Sequence, residues 1–297
     1  MLKKVFYWLF TVSRGYSAPM SILNWLVIFV YTVKTFQSPN VIYGIISLIG
    51  ILFAHLGTNL FDDCIDYILK VPKQECKTEY LENGFTSIKW VFVVTAFYFC
   101  IALITGIFFF IKFGVPILYF CVPAFLLIIL YPKLNNFSLG ELAVGLCFGV
   151  LLFSGVHYVM TGNISQNAIL ISLPVSLLTV AVLVAHALMD FEFDKKSGKF
   201  TFCQLLKTKN NALLGLMGIY LAAFGGTLWL IFNHILPKIS LVMIILIPFV
   251  IKLYSMLKRY NDNEKPSKTD FLVNFKLARN ISVFYNLILV LIFLLKG

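Results

Sequence analysis

Charge is scarce in this chain. Charged residues make up 12% of its 297 residues, hydrophobic residues make up 60%, and the mean hydropathy is +0.91. Soluble domains carry about 25% charged residues, so a soluble fold would leave this chain with too little polar surface. The composition therefore excludes a soluble domain and predicts a polytopic helical membrane protein.

The few charges are also unbalanced, with 24 Lys and Arg against 13 Asp and Glu and a formal net charge of +11. Such an excess can indicate a nucleic-acid partner, but here the basic residues lie in short segments between apolar runs. That arrangement is typical of topology signals and of contacts with anionic membrane lipid. Membrane lipid is therefore an expected partner, and nucleic acid is not.

The sequence also predicts neither cysteine-based sites nor a cleavable leader. The six cysteines show neither CxxC nor CxxH spacing, so we expect no metal site and no disulfide framework from them. The apolar stretch from Val5 to Val12 follows Lys3 and Lys4, but it is short, Arg14 interrupts it, and no small-x-small cleavage site follows. It predicts an interfacial helix on the cytoplasmic surface rather than a signal peptide.

Nine apolar stretches approach the length of about 20 residues that a membrane span needs. They cover roughly 18–36, 41–61, 89–110, 114–131, 140–161, 167–189, 211–233, 239–256 and 279–296. The predicted fold class is all-α, with residues 1–297 forming one domain. We expect one bundle of nine transmembrane helices with a central cavity open to the cytoplasmic side. The charged segment 257–279 is predicted to be a solvated loop.

The distribution of charge supports this topology. On one side of the predicted bundle the basic residues are Lys34, Lys112, Lys238 and Lys296, whereas the other 20 of the 24 Lys and Arg residues lie on the opposite side. All 13 acidic residues also lie on that opposite side. By the positive-inside rule, the N-terminus and the acidic segments face the cytoplasm. The expected location is the cell inner (plasma) membrane.

Against this background the sequence contains two acidic clusters, each at the end of a predicted span. They are Asn59-Leu-Phe-Asp62-Asp63-Cys-Ile-Asp66 and Asp190-Phe-Glu192-Phe-Asp194. Crowded carboxylates repel one another and stay ionised beside cations, and Mg²⁺ prefers such oxygen ligands. The clusters end the second and sixth spans, so their spacing of four helices predicts two related four-helix halves plus a ninth helix.

The spacing within each cluster places several oxygens on one side of a helix end, because residues four apart share a helix face. The pairs are Asn59 with Asp63, Asp62 with Asp66, and Asp190 with Asp194. Two facing carboxylate pairs suit a diphosphate clamped by Mg²⁺, which predicts an enzyme. We predict Asp63, Asp66, Asp190 and Asp194 as catalytic residues and metal ligands, and Asn59, Asp62, Lys70, Lys133, Lys195, Lys199 and His186 as substrate-binding residues.

A secondary transporter is the alternative from another class, since carboxylates can form an ion pathway. Transporter sites lie near the middle of the bilayer, often at broken helices, whereas these acids lie at the cytoplasmic ends of the predicted spans. A purely structural membrane protein would have no need for the repeated four-residue spacing. The enzyme hypothesis is therefore preferred.

Three segments of the chain resemble the UbiA superfamily of intramembrane prenyltransferases. The family's first motif is NDxxDxxxD, which in naphthoate-type members commonly lies in a stretch like NLxNDYFDY. Residues 59–67 (NLFDDCIDY) resemble that stretch: Asn59, Asp63 and Asp66 fall on matching positions, and Asp62 replaces the usual second Asn. Lys70 and Pro72 occupy the places expected for the motif's last acidic residue. Residues 190–201 (DFEFDKKSGKFT) resemble its DxExDxxxGKxT segment. Residues 139–162 resemble the GLGEL…FGP…YYVQTG region of 1,4-dihydroxy-2-naphthoate prenyltransferases, although Val150 stands where Pro is usual.

The resemblance implies a Mg²⁺-dependent reaction. Metal-bound diphosphate leaves an allylic polyprenyl chain, and the carbocation-like carbon attacks an electron-rich aromatic ring. The implied partners are a polyprenyl diphosphate and an aromatic acceptor, which the third segment indicates to be 1,4-dihydroxy-2-naphthoate, in menaquinone biosynthesis. Acceptor choice depends on pocket shape, so 4-hydroxybenzoate, haem and glycerol phosphate are alternatives.

Two histidines and one glutamate stand near the acidic clusters. His55 and His186 lie one or two turns before them, and the sequence leaves open whether they face the cavity or make structural hydrogen bonds. Glu141 opens the fifth span, either as a favourable charge at a helix N-terminus or as a cavity-lining residue. His157 and His234 are expected to be non-catalytic.

Overall fold

The protein is described by a computed structural model that covers residues 7–69, 79–82, 84–262 and 267–295. All regular secondary structure within those ranges is helical. Nine helices there are long and apolar enough to cross a membrane, which confirms the predicted all-α fold. The five cysteines in the same ranges are free thiols, and Cys76 lies outside those ranges.

We number the long helices in chain order. They are α1 (Ala18–Thr35), α2 (Val41–Ile68), α3 (Ile88–Phe113), α4 (Leu118–Leu134), α5 (Gly140–Thr161), α6 (Gln166–Met189), α7 (Lys209–Phe232), α8 (Ile247–Asp262) and α9 (Lys268–Leu295). A 3₁₀ segment, Lys238–Leu246, precedes α8 and forms the first part of the eighth span. Short helices at Phe191–Ser197 and Phe202–Leu205 connect α6 to α7.

Local sequence sets several of the helix ends. The side chains of Asn40, Ser165 and Thr208 accept hydrogen bonds from backbone N–H groups in the first turns of α2, α6 and α7. These caps satisfy donors that a helix start leaves without partners. Gly114 and Gly162 follow α3 and α5 with φ of 69° and 72°, a conformation that glycine adopts without strain.

Helix pairing repeats along the chain with an offset of four helices. α2 packs extensively against α3, and α6 packs extensively against α7. α9 then packs against both α1 and α6. This pattern fits two four-helix halves plus a ninth helix. Burial places α6 near the centre, since 61% of its most apolar stretch is buried, against 6% for the span that contains α4.

A π-helical stretch, Cys147–Leu151, interrupts α5 where it packs on α6. A Cβ built on Gly149 would lie 2.5 Å from the Cβ of Ser176, so glycine is required for this close approach of the two helices. The Phe148 carbonyl accepts a hydrogen bond from the side chain of Asn24 at 3.0 Å. The irregular turn thereby joins α5 to α1 as well as to α6.

The prediction of a solvated loop over 257–279 is wrong, because α8 and α9 together cover most of that segment. Leu253 and Leu257 are fully buried while their charged neighbours are exposed, so this part of the chain is an amphipathic helix. At the start of α9, Ser267 and Asp270 bond each other's backbone N–H groups, which caps the helix. The ninth span therefore begins earlier than predicted.

The predicted interfacial helix at the N-terminus lies partly outside the described residues. Trp8–Val12 form a π-helix, and Val12 is fully buried. The ring centroids of Tyr7 and Trp8 lie 4.6 and 6.4 Å from that of Phe85, in the segment between α2 and α3. The π-helix at Trp8–Val12 therefore packs against the bundle, directly before Arg14 in the chain.

Candidate active site

The carboxylates of the first acidic cluster lie on the last two turns of α2. The helix continues past the predicted end of the span at 61 and runs to Ile68. Asp62 and Asp63 are 8% and 1% exposed, so both carboxylates are removed from bulk water. Buried carboxylates need compensating partners, and cations on two sides of α2 supply them.

Arg14 is the cation on one side. Its guanidinium forms an ion pair with Asp63 and lies 3.9 Å from Asp62. The Tyr80 hydroxyl donates to the other oxygen of Asp63 at 3.0 Å. Burial alone would lower the pKa of Arg14, but the two carboxylates outweigh burial and raise that pKa. Arg14 therefore stays charged and neutralises Asp63.

Sequence analysis missed this role of Arg14, which it treated as a break in an apolar stretch and as a topology signal. A signal was present, because Arg14 is the one cation between Lys4 and Lys34 and directly precedes the first span. The identity of its partner was not readable from the sequence. The two residues are separated by 49 positions and meet only because the start of α1 packs beside α2.

The same N-terminal part of the chain also forms hydrogen bonds with a row of polar residues on α2. His55, Asn59 and Asp63 recur every four residues and therefore share one helix face. Asn59 donates to the hydroxyl of Ser17 at 3.3 Å. The ring nitrogens of His55 lie 3.2 and 2.6 Å from the hydroxyls of Ser17 and Ser21. His55 thus makes hydrogen bonds inside the bundle, as the structural alternative expects.

Lys199 is the cation on the other side, and it joins the two acidic clusters. Its ammonium lies 3.1 Å from the carboxylate of Asp66 on α2. Burial alone would lower the pKa of Lys199, but the carboxylates of Asp66, Asp62 and Asp194 outweigh burial and raise that pKa. The ammonium of Lys199 therefore interacts electrostatically with carboxylates of both motifs, near the ends of α2 and α6.

The backbone on either side of Lys199 is held by the turn between α4 and α5. The N–H and the hydroxyl of Ser138 both donate to the carbonyl of Phe200, at 2.6 and 3.0 Å. The N–H of Phe202 donates to the carboxylate of Glu141 at 3.1 Å, and Glu141 is buried. Glu141 therefore holds the segment that carries the lysine, a role that differs from both alternatives left open by the sequence.

Burial divides the second acidic cluster. Asp190 and Asp194 are 5% and 8% exposed, whereas Glu192 between them is exposed and pairs with Lys209 at 3.3 Å. His186, one turn before Asp190, lies 3.1 Å from its carboxylate. The two aspartates, which are four residues apart, are both sheltered by the protein, and Glu192 faces outward.

The other predicted substrate-binding lysines differ in placement from Lys199. Lys133 and Lys195 are exposed, and Lys70 lies outside the described residues. Tyr131 was not predicted, yet it lies within electrostatic range of Asp62. Of the predicted lysines in the described part of the chain, Lys199 is thus the one that lies among the carboxylates.

A model of the UbiA prenyltransferase family matches residues 22–277 of the chain. The chain belongs to the UbiA prenyltransferase family. The match includes both acidic clusters and confirms the family that the sequence motifs predict. The protein is therefore a prenyltransferase, a kind of transferase, and the match sets aside the transporter alternative.

Solved structures of UbiA-type proteins share this fold. A digeranylgeranylglyceryl phosphate synthase superposes with a TM-score of 0.66 at 15% identity, over 97% of this chain and 98% of that one. A UbiA homologue from Archaeoglobus fulgidus, bound to GPP and Mg²⁺, superposes with a TM-score of 0.60 at 16% identity, over 93% of this chain and 99% of that one. At such identities the similarity concerns the fold.

A curated relative of this UbiA protein is the 1,4-dihydroxy-2-naphthoate octaprenyltransferase of Bacillus subtilis (strain 168). The two chains are 27% identical over 150 residues. The aligned region covers 50% of this chain and 46% of the relative, so the match extends over about half of each protein. It agrees with the likeness to naphthoate prenyltransferases that residues 139–162 predict.

The carboxylates of this UbiA site fit Mg²⁺ by charge and by type of donor. Four carboxylates gather around two cations, which leaves excess negative charge for a divalent ion. They are Asp62, Asp63, Asp66 and Asp194, around Arg14 and Lys199. In the described residues, no three His, Cys, Asp or Glu side chains form a group close enough to hold a metal ion. A bound Mg²⁺ would therefore take other ligands from water and phosphate, as it commonly does in proteins.

Proposed function

We propose that this UbiA enzyme uses Mg²⁺ to transfer a polyprenyl group from a polyprenyl diphosphate to 1,4-dihydroxy-2-naphthoate, in menaquinone biosynthesis. The observation that carries the proposal is the gathering of carboxylates from both motifs around Lys199. A diphosphate carries several negative charges, so it is best bound by metal ions and ammonium groups together. The A. fulgidus homologue bound to GPP and Mg²⁺ supports the same pairing of ligands.

Each site residue has a proposed role in the reaction. Asp63, Asp66, Asp190 and Asp194 would hold Mg²⁺. Asn59, Asp62 and Lys199 position the diphosphate, and His186 orients Asp190. Lys70, Lys133 and Lys195 attract the anionic substrate. When bound, Mg²⁺ neutralises the diphosphate and makes it a better leaving group. The allylic C–O bond then breaks with both electrons leaving on the diphosphate, and a ring carbon of the acceptor attacks the allylic carbon. The naphthoate loses its carboxylate as CO₂, which restores the aromatic ring.

The proposed site faces the cytoplasm from the inner (plasma) membrane, at the mouth of a central cavity. The one-sided distribution of basic residues supports this orientation. Apolar helices around the site would keep water away from the cationic carbon, and aromatic faces can stabilise it directly. The polyprenyl chain would then lie among the helices while the charged diphosphate stays at the membrane surface.

Glycerol phosphate is the second candidate acceptor. A digeranylgeranylglyceryl phosphate synthase has the same fold over nearly the whole chain, with a TM-score of 0.66. The naphthoate acceptor is preferred because both residues 139–162 and the B. subtilis relative favour it. Haem and 4-hydroxybenzoate have no such support from the comparisons.

An acceptor screen tests the proposed substrate. Purified protein with Mg²⁺ and a polyprenyl diphosphate is offered 1,4-dihydroxy-2-naphthoate, 4-hydroxybenzoate, haem or glycerol phosphate. We expect diphosphate release and a decarboxylated, prenylated product, detected by mass spectrometry, with the naphthoate alone. Product formed from a different acceptor instead would overturn the naphthoate assignment and leave the transferase assignment intact.

Substitution of the buried aspartates tests the metal assignment. Asp63→Asn and Asp190→Asn should each lower turnover by about 10²- to 10³-fold, because metal stabilisation of the departing charge is worth several kcal/mol. Glu192→Gln is the matched control in the same motif and should keep near-normal turnover, since Glu192 is exposed. Size-exclusion chromatography in detergent shows that each variant is folded. Near-normal turnover of either aspartate variant would show that the metal assignment is wrong.

A further inference from the structure

Asp63 is the most buried of the site carboxylates, and donors occupy both of its oxygens. It is 1% exposed. The guanidinium of Arg14 contacts Oδ1, and the hydroxyl of Tyr80 donates to Oδ2. A metal ion that binds Asp63 must therefore approach a carboxylate that is already in contact with a positive charge.

The backbone that carries Arg14 is strained and held in place by hydrogen bonds. Arg14 has φ 52° and ψ 40°, a left-handed conformation that is uncommon outside glycine and asparagine. Its carbonyl accepts hydrogen bonds from the N–H and the hydroxyl of Ser17, both at 2.8 Å. Asn59 in turn donates to that hydroxyl. Strained conformations of this kind cluster at ligand clamps and switch regions, where a second arrangement exists.

The two partners differ in their access to solvent. The side chain of Arg14 is 18% exposed, whereas that of Asp63 is 2% exposed. Of the two groups, the Arg14 side chain is thus the one with a route to water, whereas the carboxylate is enclosed. If the pair separates, Arg14 is therefore the member that moves.

We propose that Arg14 is a tethered cation that occupies Asp63 in the metal-free enzyme and competes with the divalent ion for it, an inference that rests on the proposed function. A buried carboxylate without a partner is strongly destabilising, so Arg14 serves as the partner of Asp63 when no metal is present. A guanidinium and a divalent cation at one carboxylate repel each other. Metal binding therefore requires Arg14 to withdraw, and the turn at residues 13–17 moves with it.

This exchange links metal binding to the arrival of the substrate. The oxygens of a diphosphate accept charge-assisted hydrogen bonds from a guanidinium, so a bound prenyl diphosphate favours the withdrawn position of Arg14. The metal is then held weakly by the free enzyme and tightly by the enzyme–diphosphate complex.

Mn²⁺ binding to the full chain in detergent tests the competition, with free Mn²⁺ measured by electron paramagnetic resonance. Arg14→Gln removes the competing charge. This variant should bind Mn²⁺ at least about tenfold more tightly than the wild type, because a guanidinium and a divalent ion repel each other strongly at such distances. Arg14→Lys keeps a cation and should stay near the wild type. Arg259→Gln makes the same chemical change at an exposed position on α8 and should have no effect.

The outcomes separate this inference from the proposed function. If Arg14→Gln binds Mn²⁺ no more tightly than the wild type, the competition is overturned. If Asp190→Asn loses Mn²⁺ binding in the same experiment, the metal site itself is retained. A gain in affinity that persists when Asp63→Asn is added to Arg14→Gln would also overturn it, because the competition is for Asp63. Failure of the proposed function would show separately, as an absence of prenyl transfer by the wild type.

A measurement on the unaltered protein covers the case in which the arginine variants fail to fold. Hydrogen–deuterium exchange of the peptide that contains residues 13–17 is followed with and without Mn²⁺. Faster exchange in the presence of Mn²⁺ is expected, since the Ser17 hydrogen bonds open when Arg14 withdraws. Slower or unchanged exchange with saturating Mn²⁺ would contradict the proposal.

Discussion

At the scale of single residues, burial and pairing distinguish side chains that are equivalent in the sequence. Asp190 and Glu192 belong to one acidic motif, yet Asp190 is buried beside a histidine and Glu192 is exposed. Lys196 and Lys199 belong to one basic segment, yet Lys196 is exposed and Lys199 lies among carboxylates of both motifs. The chemistry of the site is therefore assigned to the buried member of each pair.

Replacement of Lys199 by Met should lower kcat/KM for the polyprenyl diphosphate by about 10- to 100-fold, because a hydrogen bond to a charged group is worth roughly 1.5–3 kcal/mol. Steady-state kinetics with varied diphosphate measures the effect, and a raised KM should carry most of it. The pKa of Lys199 is raised, so its contribution is present at neutral pH and is lost only at alkaline pH, above the ordinary value.

Lys196→Met is the matched control for this prediction. It removes the same charge three residues away, at an exposed position, and should leave kcat/KM within about twofold of the wild type, since exposed charges contribute little. An equal loss in both variants would mean that the effect comes from general charge at the membrane surface rather than from a contact with the diphosphate.

At the scale of elements, the site depends on segments that bring the ends of α2 and α6 together. Lys199 follows α6, but its ammonium reaches α2 because residues 198–202 are tied to the turn between α4 and α5. Ser138 and Glu141 provide these ties, so a helix pair outside the two acidic motifs positions the lysine. The site therefore draws on four helices of the bundle.

Glu141→Ala should release this segment by removing the acceptor of the Phe202 N–H. Loss of one such hydrogen bond costs about 0.5–1.5 kcal/mol, and the cost is higher when a buried donor is left without a partner. We expect kcat/KM to fall about 3- to 10-fold and hydrogen–deuterium exchange across residues 198–202 to rise. Kinetics and exchange mass spectrometry on the same sample provide the measurement.

Glu141→Gln keeps an acceptor oxygen at the same place and should restore most of the activity and the slow exchange. That rescue distinguishes a positioning role from a direct one, because a carboxylate that bound metal would not be replaced by an amide. Full activity and unchanged exchange in Glu141→Ala would contradict the role proposed for the Glu141 contact.

At the scale of the whole molecule, the described part of the chain forms a bundle of nine long helices, and both acidic clusters lie at the end of the first helix of a packed pair, α2 with α3 and α6 with α7. Exposed apolar side chains cover the outer helices, for example Ile111 on α3, which is 75% exposed. Such a surface suits a lipid environment and no other solvent. The proposed orientation follows from charge alone and is open to a direct test.

Cysteine labelling measures the orientation. In a cysteine-free background, Asn163→Cys lies between α5 and α6 and Lys196→Cys lies after α6, both at exposed positions. A membrane-impermeant maleimide added to intact spheroplasts should label Asn163→Cys, and should label Lys196→Cys only after lysis. The reverse pattern would invert the orientation, and labelling of both from one side would mean that α6 does not cross the membrane.

Much of the fold was predictable because apolar length and periodicity are local properties. All nine spans were found, and the caps and glycines at their ends are visible in the sequence. The segment 257–279 was misjudged because its high charge was taken as loop character, although Leu253 and Leu257 follow a helical spacing and Ser267 with Asp270 marks a helix start.

The candidate site was predictable in part. The acidic clusters stand out because carboxylates are scarce in this chain, with 13 Asp and Glu in 297 residues. Lys199 follows the second cluster closely, and the structure brings it to the first. Tyr80 and Ser138 gave no such signal, since tyrosine and serine are common in many settings and their partners lie far along the chain. Their roles arise only from contacts.

By itself, the sequence determined that this chain forms apolar membrane helices with acidic clusters at the ends of two of them, because hydrophobicity and charge belong to each residue separately. Only the tertiary structure decided which cation faces which carboxylate. Arg14 meets Asp63 across 49 positions and Lys199 meets Asp66 across 133. Contacts over such separations depend on how helices pack, and no local property of the chain encodes them.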